Sequence, residues 1–86
     1  MVLLVLDRSA ADEGLALAKK LGCPIWLGAD AVTSSDYQKY CADGINASRF
    51  DYSLSDRDPE IIEDALSTIE EHHPGDVIWV QHLRSI

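Results

Sequence analysis

Three aspartates stand where apolar or alternating runs end: Asp7 after Val2–Leu6, Asp30 after Ile25–Leu27, and Asp56 after Arg49–Leu54. If those runs are parallel strands of one sheet, their carboxyl ends share a rim, which is where open α/β sheets bind ligands. Three carboxylates, with Asp58 nearby and His82 just past a fourth run (Val77–Val80), would suit Mg²⁺. That hard cation takes oxygen ligands and supports phosphoryl transfer or hydrolysis. Ser9, at the start of the first helix, is placed to meet a phosphate. The same residue types equally serve as helix caps and turn residues, bonding their own backbone. Neither common glycine-rich phosphate loop occurs in the chain.

Other reactive side chains form weaker patterns. His72 and His73 are adjacent, so they cannot share one helix face as a metal-binding pair spaced by one turn would. At a helix C-terminus their partial positive charge is favoured by the dipole. Cys23 and Cys41 lie 18 positions apart with no CxxC spacing. They read as small, reduced core residues. No nucleophile elbow or Cys–His spacing points to covalent catalysis.

The most unusual pattern lies between Asp58 and His73. Asp58-Pro59 opens a helix, with Asp as N-cap and Pro at the first helical position. Ile61, Ile62, Ala65, Leu66 and Ile69 make its apolar stripe. Opposite them fall Glu60, Glu63, Asp64, Ser67, Glu70 and Glu71, with no Lys or Arg in the helix. Glu60–Glu63 and Glu60–Asp64 are like-charge pairs at i,i+3 and i,i+4, each costing about 0.2–0.5 kcal/mol. Glu70 and Glu71 also oppose the dipole at the C-terminal end. Such a face is either simply solvated or a docking surface for a basic protein, and the docking reading makes these six residues the candidate partner site.

The elements that must position these groups follow from the remaining pattern. Val2–Leu6 is a continuous apolar run, suited to a strand buried on both faces. Ser9-x-x-Asp12 suggests a capping-box variant ahead of a helix over Ala10–Leu21, weakened by Gly14 and closed by Gly22 and Pro24. Ile25–Leu27 is a second strand. Thr33 or Ser34 caps a second helix to about Ala42, with Tyr37, Tyr40 and Cys41 on one side. Arg49–Leu54 alternates, with Phe50, Tyr52 and Leu54 inward, and reads as a strand at a sheet edge. Val77–Val80 is the last strand. The order β-α-β-α-β-α-β predicts a single small α/β domain over residues 1–86, with a four-stranded, mostly parallel sheet and helices packed on it. The first and fourth strands are expected in the middle, the third at an edge. Trp26 and Trp79 read as core, or as interface anchors if exposed.

Composition limits the function classes. The 86 residues are 47% apolar and 26% charged, with a formal net charge of −8. Nine acids and one base, Arg57, fall between Asp51 and Asp76, so that segment alone carries −8 and the remainder is neutral. This argues against direct binding to nucleic acid or an anionic membrane, both of which need a cationic face. No apolar run approaches a bilayer span and no signal peptide is legible, so a cytoplasmic protein is expected. The acidic helix, the turn at Pro74-Gly75 and the last strand resemble, in order and charge alone, the general plan of ribonuclease inhibitors of the barstar type. That resemblance implies an inhibitor acting on a protein partner and transfers no residue. Three functions follow as expectations. The first is an acidic protein-binding module, of inhibitor or immunity type, without a cofactor. The second is a Mg²⁺-assisted enzyme using Asp7, Asp30 and Asp56. The third is a homo-oligomeric structural protein. A monomer or weak homodimer is expected.

Overall fold

The computed structural model describes residues 1–81, so His82 lies outside the described residues. Among the described residues there are four strands: β1 (Val2–Val5), β2 (Ile25–Leu27), β3 (Ala47–Arg49) and β4 (Ile78–Val80). Three helices alternate with them: α1 (Ala11–Leu21), α2 (Ser34–Ala42) and α3 (Pro59–His72). The sheet is parallel throughout, in the order β3-β2-β1-β4. This is the small α/β architecture expected from the alternating elements, with one correction: β1 and β2 are the inner strands and β4 is an edge.

Connection handedness accounts for the layers. From β1 the chain steps through β2 to β3 in one direction, then returns across the sheet to β4. Crossovers of one hand that run in opposite directions lie on opposite faces. Accordingly α1 and α2 cover one face, where Leu3, Val5, Ile25, Leu27 and Ala47 meet Leu15 and Ala18. On the other face α3 brings Ile62, Ala65 and Ile69 against Val2, Leu4, Leu6, Phe50 and Leu54. β1 is buried along its whole length, as its continuous apolar run requires.

The apolar run that closes the described chain has a different fate. Ile78 and Val80 pack partly against the α3 core. Trp79 and Val77 are 60% and 62% exposed. Trp79 stands on the α1 side of the sheet, in register with Leu3. An apolar run shows what a strand can bury, whereas strand order decides what is available to bury it.

Local starts and stops follow side-chain chemistry. Asp58 caps α3 by accepting from the Glu60 N–H at 2.9 Å, with Pro59 next. Thr33 caps α2 through the Asp36 N–H at 3.1 Å. The expected Ser9–Asp12 box is replaced by Asp7, which accepts from the Ser9 N–H and opens one 3₁₀ turn (Arg8–Ala10) before α1. Gly14 is required by close approach: a Cβ there would lie 2.7 Å from Val5 Cγ2. β3 is shorter and earlier than Arg49–Leu54. Beyond Arg49 the chain keeps one more ladder bond, Phe50 N–H to Leu27 C=O at 2.8 Å, then leaves the sheet. Phe50 and Leu54 still point inward and Tyr52 is half-buried, so the alternation marks a loop lining the α3 core. Ile61, expected on the buried stripe of α3, lies at its exposed margin.

Candidate functional site

The order β3-β2-β1-β4 places the reversal of connection direction between β1 and β4. The carboxyl ends of those strands carry Asp7 and Gln81. Gln81 Oε1 accepts the N–H groups of Leu6 (2.8 Å) and Asp7 (3.1 Å), while its Nε2 donates to Asp7 Oδ1 (2.9 Å). Ser9 gives the same Asp7 oxygen its backbone N–H and its hydroxyl. Arg57 Nη1 meets Asp7 Oδ2 at 2.8 Å and also donates to the Ser55 carbonyl. The Gln81 amide and then Ser9 hold the Asp7 carboxyl far below the usual carboxylate range; burial opposes them, and Arg57 adds a lesser lowering effect. Arg57 sits at φ 56°, a left-handed conformation that a residue with a side chain adopts at some cost, which localises strain where the ion pair forms.

Asp30 is held by a second set of bonds, joined to the first through Ser55. The hydroxyls of Ser53 and Ser55 both donate to its Oδ2, and these bonds lower its pKa. Asp56 is exposed. The three rim aspartates proposed as metal ligands are therefore not brought together, and among the described residues no three His, Cys, Asp or Glu side chains form a group able to hold a metal ion. Asp7 and Asp30 direct their oxygens to neighbouring side chains, the cap-and-turn role open to such residues. Gln81 and Arg57 were not singled out from the sequence. An uncharged Gln gives no local signal, and its bonds to Leu6 and Asp7 span 75 and 74 positions.

The histidines and cysteines are likewise placed in the frame. Trp26 Nε1 donates to His73 Nε2 at 3.3 Å, and the Trp26 ring lies 5.4 Å from His72 and 5.2 Å from Phe50 between centroids. Cys23 is buried, Cys41 is exposed, and neither is bridged. Tyr37 donates to the Ala47 carbonyl at 3.2 Å, and burial raises its pKa.

The remaining candidate surface is the outer side of α3. Glu60, Glu63, Asp64, Ser67, Glu70 and Glu71 are all exposed. Among the described residues none of these acids takes part in an ion pair, and Arg57, the only base between Asp51 and Asp76, is engaged with Asp7. The helix is held by its inner side and by the Asp58 cap, and among the described residues the carboxylates of its acidic side form no ion pair. Among the described residues no helix is long and apolar enough to cross a membrane. Comparison with family models, with curated proteins and with solved structures finds no match for this chain.

Proposed function

We propose that the protein is a small acidic protein-binding module, of inhibitor or immunity type, that docks a basic partner protein through the outer side of α3. One observation carries this reading: five carboxylates are exposed along one helix face, and the one Lys or Arg between Asp51 and Asp76 is committed elsewhere, to Asp7. Uncompensated like charges cost an isolated helix stability, and a cationic partner converts that cost into attraction and faster encounter. The unbridged Cys23 and Cys41 fit a reducing compartment, and we place the protein in the cytoplasm on that ground.

The test is capture of partners from host extract at low and high salt, run beside a variant with Glu63→Gln, Asp64→Asn, Glu70→Gln and Glu71→Gln. The reading expects a basic protein that the native chain retains at low salt and releases at high salt, and that the variant fails to retain. A partner held equally by the variant contradicts it.

A further inference from the structure

The acidic face leaves another surface unexplained, the edge formed by β4, which no other strand pairs among the described residues. In β4 the Val77 carbonyl accepts from Val2 N–H and the Gln81 N–H donates to the Leu4 carbonyl, both at 2.8 Å. Successive residues alternate in direction, so the N–H and C=O groups of Ile78 and Val80 point away from β1, toward the free edge.

The two edges of the sheet differ. At β3 the Arg49 guanidinium folds over the chain, donating to the Ala29 carbonyl at 2.9 Å and reaching the Ser34 hydroxyl at 3.4 Å. A charge on an edge strand is a common guard against pairing with another chain. From Val77 to Gln81 the β4 segment has no charge and no proline. It also presents Trp79 on the α1 side, beside an open groove of about 510 Å³ whose lining is mostly apolar (Leu3, Val5, Gly14, Leu17) but includes Glu13 and Arg57. Leu17 is itself 43% exposed.

We propose that β4 is a self-association edge: two copies pair antiparallel through β4, centred on Trp79, to make one eight-stranded sheet. The occupant is a second copy because the strand is complementary to itself. With Trp79 at the two-fold axis, Ile78 of each copy faces Val80 of the other. Those are the residues whose backbone groups point outward, so both pairs exchange N–H···O=C bonds. Trp79 then faces its own counterpart at a non-hydrogen-bonded position, where side chains approach most closely, with Cα atoms about 4.5 Å apart. Both indoles lie on the α1 side, where they cover the two grooves.

The available area sets the strength. Trp79 is 60% exposed, so it has less than the roughly 150–250 Å² of a whole aromatic side chain left to bury; the flanking Val77 and Leu17 add less, and the interface falls below the roughly 800 Å² per partner of a stable complex. The dimer is therefore weak and transient. Because each copy carries −8, added salt should strengthen it, the reverse of its effect on a basic partner bound at α3.

Sedimentation velocity from about 10 μM to about 1 mM, combined with amide hydrogen exchange, tests this directly. The expected result is a concentration-dependent dimer, tightened several-fold by salt, in which exchange at Ile78 and Val80 slows as concentration rises. Exchange at Trp79, already bonded to β1, should not change. Trp79→Lys should weaken the dimer at least about tenfold, and Val77→Lys, an independent exposed position, should weaken it less. A chain that stays monomeric at the highest concentration and salt overturns the proposal and leaves the edge to a strand of a different protein. A dimer that persists unchanged in Trp79→Lys overturns it as well. Trp79→Lys should leave capture of a basic partner by α3 intact, so either account can fail without the other.

Discussion

Asp7 shows most clearly how single residues divide between fold and function. It ends β1, opens the turn into α1, and ties both to β4 and to the loop before α3 through Gln81, Ser9 and Arg57. The carboxylate form is the one these donors stabilise, so its folded-state pKa lies below the ordinary 3.8. The stability it supplies is full above that ordinary value and is lost as pH falls through the folded-state value. Asp7→Asn should therefore cost about 1.5–3 kcal/mol at neutral pH, the range for hydrogen bonds to a charged group. Denaturant titrations of both proteins should show the gap shrinking as the pH drops below about 4. Asp7 was legible in the sequence as a residue at a strand end. Its partners were not, because Gln81 and Arg57 reach it from distant parts of the chain and neither spacing nor periodicity records that.

At the scale of elements, local rules and close packing give opposite predictions at Gly14. Helix propensity alone predicts that Gly14→Ala gains about 1 kcal/mol. The structure predicts a loss, because the new Cβ would meet Val5 Cγ2 at 2.7 Å and Ile25 Cδ1 at 3.2 Å, and both are buried branched side chains. A net destabilisation of about 1–2 kcal/mol is expected by thermal or denaturant unfolding, typical of an overfilled core. The outer side of α3 should respond in the other direction. The quadruple amide variant removes like-charge pairs and should stabilise the isolated protein by about 0.5–1 kcal/mol at low salt, fading as salt screens the repulsion. The helix caps at Thr33 and Asp58 and the inner stripe of α3 were readable because they are short-range. The position of β4 was not. A run of Val, Ile and Trp reads alike in a central strand and at an edge, and only the return crossover through α3 puts it beside β1 with one side uncovered.

Across the whole molecule, the frame and the charge are segregated. The cores on the two sheet faces carry the buried apolar side chains, and the Asp7 network ties the ends of β1 and β4 together. The net charge of −8 resides in the Asp51–Asp76 segment, where among the described residues its internal ion pairs are Arg57 with Asp7 and Asp76 with the N-terminal ammonium. Salt should thus act on two surfaces with opposite sign, weakening a basic partner at α3 and strengthening self-association at β4. The most direct measurement of the central claim is the association rate between the captured partner and this protein, native and quadruple amide variant, followed across ionic strength. The acidic-face account predicts a native rate that falls steeply with salt and a variant rate at least about tenfold lower in low salt with a flattened salt dependence. Equal rates for the two proteins in low salt would contradict it and reduce the outer side of α3 to a solvated face.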